Sequence, residues 1–220
     1  MAEADRPGAA RWVPTGGVSA LRSAAPQCRG CELWADATQV VFSSGPERAR
    51  LVLVGEQPGD KEDLEGEPFV GPAGSVLAEA LVAAGVDPGQ VYLTNAVKHF
   101  RFEERGKQRL HKTPDLEHIR ACNPWLTAEL KAVRPDVVVC LGATAGRAVL
   151  GRPVRVGAER GRLLDAPAQS GTAGGARVLL TTHPSAVLRL RGRPEYPEAF
   201  EALVADLEIA AAATGHGSAR

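Results

Sequence analysis

Two groups of residues in this chain could do chemistry: polar side chains that each follow a short apolar run, and four cysteines. Glu56, Gln57 and Asp60 come directly after Leu51-Val-Leu-Val54. Asn95 follows Val91-Tyr-Leu-Thr94, and His183 follows Val178-Leu-Leu-Thr-Thr182. A carboxylate can take a proton or steady a cation. A carboxamide offers a donor and an acceptor on one group, and an imidazole can donate to a developing negative charge. Taken singly each has an ordinary explanation: a solvated loop acid, a turn-capping asparagine, a structural histidine before Pro-Ser. Their shared position is what stands out. Each apolar run is short, β-rich and bounded by turn residues, so it reads as a buried strand. In an open α/β sheet, the residues just past the carboxyl ends of the strands line the rim where ligands bind.

The cysteines are Cys28, Cys31, Cys122 and Cys140. Cys28-Arg-Gly-Cys31 is a C-x-x-C, and a tetrathiolate site would hold a structural zinc ion or an iron–sulfur cluster. The competing reading is plain burial. Cys140 lies inside Val137-Val-Val-Cys-Leu141, a core-strand pattern in which a thiol behaves as a small hydrophobe. Trp34 is available to cover a metal bound at the C-x-x-C. Spacing alone favours a metal without naming it.

Elements that alternate strand and helix must position these residues. Strands are expected at 51–54, 91–94, 136–141, 162–164 and 178–182. Helices are expected at 75–84 (ended by Gly85), from Thr113 as N-cap through Pro114 toward Val133, over 143–150 and over 195–213. Pro124 should kink or restart its helix. Residues 98–114 mix aromatic and basic side chains around Gly106 without a sustained period, and read as a long surface loop. The pattern gives an α/β fold: a three-layer α/β/α sandwich on a central, mostly parallel four-stranded sheet. Residues 1–20 read as a flexible arm, 21–213 as a single domain and 214–220 as a frayed tail. His99 and His118 read as structural.

At 220 residues, 44% hydrophobic and 24% charged, the composition is that of an ordinary globular chain. No apolar run approaches the roughly 18 residues a bilayer span needs. The opening MAEADRPGAARW lacks the apolar core of a signal peptide, so a cytoplasmic protein with no membrane partner is expected. Lys+Arg and Asp+Glu are 26 each. Zero net charge leaves nucleic acid open, because a local basic face is what binds it.

Gly55-Glu-Gln-Pro-Gly59, Glu67-Pro-Phe-Val-Gly71, Thr94-Asn-Ala-Val-Lys98 and His183-Pro-Ser185 together resemble the motifs of the iron–sulfur, family 4-like uracil-DNA glycosylases. Two features resemble the UdgX class, whose members link covalently to DNA after excising uracil. They are Gln57 and the inserted basic loop Gly106-Lys-Gln-Arg-Leu-His-Lys-Thr-Pro114. Gln108 and Leu110 stand where that class usually carries Arg and Ile.

The resemblance implies a monomer that acts on uracil-containing DNA, single-stranded or double-stranded, without fixing a preference between them. It implies a structural [4Fe-4S] cluster on Cys28, Cys31, Cys122 and Cys140. Uracil would leave the base stack and enter a pocket formed by Gly55, Gln57, Asp60, Phe69 and Asn95. Phe69 would stack on the ring and Asn95 would read its polar edge. His183 would stabilise charge on uracil O2, while Glu56 supports the sugar cation and orients His111. His111 would then attack C1′ and end as a sugar–histidine adduct. Lys107, Arg109, Lys112, Ser185 and Arg189 are the expected DNA contacts, with Arg191 and Arg193 close behind.

Overall fold

The computed structural model describes residues 6–172 and 175–214. In chain order its regular elements are α1 (Val18–Ala24), α2 (Leu33–Asp36), β1 (Ser43–Ser44), β2 (Leu51–Gly55), α3 (Asp60–Glu65), α4 (Pro72–Ala83) and β3 (Val91–Asn95). After these come β4 (Phe102–Arg105), β5 (Gln108–His111), α5 (Leu116–Val133), β6 (Val137–Leu141), α6 (Ala143–Leu150) and α7 (Val156–Glu159). The chain closes with β7 (Leu163–Asp165), β8 (Arg177–Thr181), α8 (Pro184–Leu188) and α9 (Tyr196–Ala213).

The main sheet has six strands in the order β1-β3-β2-β6-β8-β7. The inner four, β3, β2, β6 and β8, are parallel, and the two edge strands run antiparallel to them. The four-stranded sheet expected from the sequence is therefore the inner part of a mixed six-stranded one. β1 was invisible because it is two residues long. Alternation along the parallel strands splits the core in two. Val52, Val54, Val138, Cys140, Val178 and Leu180 face α1, α5 and α6. Leu51, Leu53, Val137, Val139, Leu141 and Leu179 face α4, α8 and α9. Helices on both faces make the parallel strands apolar throughout, which is why each read as a short continuous run.

Three expectations need correcting. From Arg6 onward the supposed arm is packed on the domain: Arg6 pairs with Glu32 and Asp115, the Ala9 N–H donates to the Ala121 carbonyl, and Val18 and Leu21 are buried. Residues 1–5 lie outside the described chain, as do 215–220 of the tail, whereas Thr214 is buried. The N-cap of α5 is Asp115 rather than Thr113. Its carboxylate accepts from the His118 N–H while the His118 ring accepts from the Asp115 N–H, and α5 then runs unbroken through Pro124. Residues 98–114 hold a β-hairpin, β4 paired with β5, turned at Gly106 with φ +62°. Among the described residues no helix is long and apolar enough to cross a membrane.

Candidate active site and thiol pocket

The carboxyl ends of β2, β3, β6 and β8 open into one cleft of about 840 Å³, to whose lining the β4–β5 hairpin contributes His111. Glu56, Asn95, Phe69, His111 and His183 all line it, so the five residues expected to carry the reaction share one space. Local backbone explains how they come so close. A side chain on Gly55 would stand 2.2 Å from the Asn95 carboxamide and 2.8 Å from the Phe69 ring, so glycine is what lets both cross over the strand end. Phe69 itself sits at φ +60°, a strained setting for a non-glycine residue. Gly74 accommodates it, since a Cβ there would lie 1.7 Å from the Phe69 carbonyl oxygen. The chain thus holds an unfavourable backbone to keep one aromatic ring beside Asn95.

Glu56 is divided between two partners. Its Oε2 accepts from the Thr144 hydroxyl at 2.5 Å, and its Oε1 lies 3.5 Å from His111 Nε2. Thr144 follows Gly142 at the end of β6 and was not singled out from the sequence. A lone threonine at the start of a helix carries no signal of its own. His183 N-caps α8. Its Nδ1 accepts from the Ser185 N–H at 3.2 Å and lies 2.8 Å from the Ser185 hydroxyl. With Nδ1 fixed as an acceptor, the neutral ring carries its proton on Nε2. Burial, reinforced by nearby His111 and Arg189, pushes the His183 pKa down to about 4. Near neutrality the ring is therefore an uncharged donor.

The remaining candidates separate by position. Gln57 was expected to help hold the base, but its carboxamide is spent on the hairpin: Nε2 donates to the Arg101 and Lys112 carbonyls, and Oε1 accepts from the Arg101 N–H. Asp60 and Arg109 are likewise engaged with each other. Arg109 Nε donates to Asp60 at 2.6 Å and Nη1 to Asp63 at 2.7 Å, so this arginine clasps the hairpin onto α3 instead of facing outward. Its guanidinium also lies 5.1 Å from the Phe102 ring centre. Opposite pairing in the ribbon puts Phe102 beside His111 and Glu104 beside Arg109. The face of β5 that carries Arg109 thus also turns His111 into the cleft. Lys107 at the turn, Lys112 and Arg189 are exposed, and Ser185 serves His183. Arg191 pairs with Glu79.

Of the four cysteines that the resemblance assigns to a cluster, three line one pocket. Cys28, Cys31 and Cys122 line one small pocket with Lys98, His99 and Trp125, and Cys140 is not among its lining residues. Cys140 is buried within β6, and burial alone raises its pKa. Cys31 is pushed up to about 11 and Cys122 to about 12, chiefly by burial and with mutual repulsion between the thiols contributing. His99, read as structural, is the imidazole of the pocket, and burial holds it down to about 4. The cover is Trp125, whose Nε1 donates to Cys28 Sγ at 3.3 Å. Trp34 instead is 41% exposed and lies against Arg29. Among the described residues no three His, Cys, Asp or Glu side chains stand ready to hold a single metal ion.

Comparison with known proteins agrees with this geometry. The family model described as the uracil DNA glycosylase superfamily matches residues 42–208. The type-4 uracil-DNA glycosylase of Thermotoga maritima is 39% identical over 75% of this chain and 80% of its own length. That of Archaeoglobus fulgidus is 34% identical over 79% and 83%. A type-5 uracil-DNA glycosylase of Pyrobaculum aerophilum is 34% identical over 59% and 60%. With its four motifs converging on one cleft, the chain belongs to the uracil-DNA glycosylase superfamily.

Proposed function

We propose that the protein excises uracil from DNA and, in the UdgX manner, is captured by its own product through His111. The observation that carries this is the position of His111: held on an anchored ribbon, it faces Glu56 at 3.5 Å inside the cleft that contains Asn95 and Phe69. A uracil flipped from the stack would lie on Phe69, with its polar edge on the Asn95 carboxamide. The bond between C1′ and uracil N1 breaks with its electron pair leaving on the base, and the Nε2–H of His183 meets the charge that spreads to O2. The sugar becomes an oxocarbenium ion, steadied by the Glu56 carboxylate. A ring nitrogen of His111 then gives its lone pair to C1′, and the proton on the other nitrogen passes toward Glu56. Atoms and charge balance without a water molecule, and each protein molecule is used once. Lys107, Lys112 and Arg189 form the exposed basic rim for the DNA phosphates.

A cluster in the thiol pocket is part of this reading. Three thiols and one imidazole are donors suited to an iron–sulfur centre, and a multi-iron cluster spreads its ligands wider than a single tetrahedral ion does. The ligands would be Cys28, Cys31, Cys122 and His99, not Cys140. When bound, the cluster would pin the N-terminal segment to α5 and to the residues after β3.

The deciding experiment is a denaturing gel of protein mixed with a uracil-containing oligomer, with His111→Ala alongside. A band of retarded DNA that survives heat and detergent, absent from the variant, is the expected result. An abasic product without that band would make this a turnover glycosylase in which the hairpin only grips DNA. Unaltered DNA would end the enzymatic reading.

A further inference from the structure

Beneath Asn95 lies a charge pair that no step of the reaction above uses. Lys98 and Glu129 are 1% and 0% exposed and form a direct ion pair. The ammonium has three protons and three partners: Glu129, the Thr94 hydroxyl at 2.5 Å and the Asn95 carbonyl at 3.0 Å. On the other side of the pair, Glu129 accepts from Tyr92 and Thr94, each at 2.9 Å, and the Tyr92 oxygen in turn accepts from the Ser43 hydroxyl at 2.8 Å. Such a network is costly to bury. Replacing a buried ion pair by apolar residues is often neutral or stabilising, so stability alone gives little reason for this one.

Its geometry gives another reason. Asn95 is the last residue of β3, and beyond it the chain turns immediately. One side of that turn is tied to β2, with the Ala96 N–H donating to the Gly55 carbonyl and the Val97 N–H to that of Glu56. Lys98 ties the other side, reaching back three residues to the Asn95 carbonyl. The same residue lines the thiol pocket next to His99, and Cys122 and Glu129 both lie on the buried side of α5.

We infer that the Lys98–Glu129 pair is a positioning device for Asn95, holding its carboxamide in the one setting that matches the edge of uracil and so setting the base specificity of the cleft. This rests on the uracil-excision reading. Neither residue touches the base; both act through the Asn95 backbone.

The test is Lys98→Met/Glu129→Gln, which removes both charges together and keeps an acceptor for Tyr92 and Thr94. Free uracil is titrated as an inhibitor of excision, binding of an abasic oligomer is measured separately, and thermal melting is followed. The expected result is near wild-type melting, unchanged affinity for the abasic oligomer and about tenfold weaker inhibition by uracil, equivalent to one well-placed hydrogen bond. Unchanged uracil inhibition, or equal loss for uracil and the abasic oligomer, would overturn the inference and leave the pair a structural one. If the double variant melts early, Lys98→Met alone removes the tie to the Asn95 carbonyl and leaves a carboxyl that can take a proton and stay hydrogen-bonded to Tyr92 and Thr94. The same loss of about tenfold in uracil inhibition is then expected, and no loss overturns the idea. Wild-type protein in the same assay separates the two readings: failure to excise uracil ends both, whereas normal excision with unmoved uracil affinity in the variant ends only this one.

Discussion

In the proposed reaction Glu56 orients His111, and the Thr144 hydroxyl is what holds the Glu56 carboxylate in place. Thr144→Val should keep the fold and slow adduct formation about tenfold, the effect of losing one such hydrogen bond. Thr144→Ser should restore it, and the adduct band on a denaturing gel measures both. Gly55→Ala is the harsher change. Its Cβ would occupy space within 2.2 Å of the Asn95 carboxamide, and a displacement of that order should cost about a hundredfold in excision rate. His183 supplies a pH dependence. Its folded pKa of about 4 lies below the ordinary 6.5, so the unfolded chain binds more protons between those values. Stability from this group is complete above about pH 6.5 and falls as the pH drops toward 4, where the loss levels off. Thermal melts of His183→Asn should show a smaller drop over that window than wild type.

In the proposed reaction the hairpin is the element that would separate trapping from excision. Gln57 holds its base and Arg109 its middle, whereas Asn95, proposed to read the base, ends a strand of the main sheet. Gln57→Leu and Arg109→Ala should therefore lose most adduct while still releasing uracil, a split visible by quantifying free uracil beside the crosslinked band. Much of the parallel core was legible in the sequence because strands buried on both faces have to be apolar, as in Val137-Val-Val-Cys-Leu141. The same rule offered plain burial as the alternative for Cys140, which lies within β6 and is not among the residues lining the thiol pocket. The hairpin was not legible as strands. Its residues are mostly polar and exposed, and what fixes them are the distant partners Gln57, Asp60 and Asp63. His99 gave no local signal, since only the folded chain brings it beside Cys28, Cys31 and Cys122. Glu56, Asn95 and His183 could be read together because parallel strands send their carboxyl ends to one rim.

Across the whole molecule, the thiol pocket joins segments far apart in the chain: the N-terminal turn, the exit of β3 and the first half of α5. If a cluster binds there, Cys140→Ser should keep the broad visible absorbance of an iron–sulfur protein and His99→Ala should lose or shift it. Iron content together with that spectrum checks both. The hairpin stands in a different relation to the rest. β4 and β5 pair only with each other and form their own two-stranded sheet, outside the hydrogen-bonded order of the main one. A lineage could therefore acquire or shed this ribbon in a single insertion or deletion between β3 and α5, with every core strand keeping its neighbours. Self-capture would then be a heritable accessory carried by an older excision scaffold, and its loss would return a recycling enzyme rather than a ruined fold.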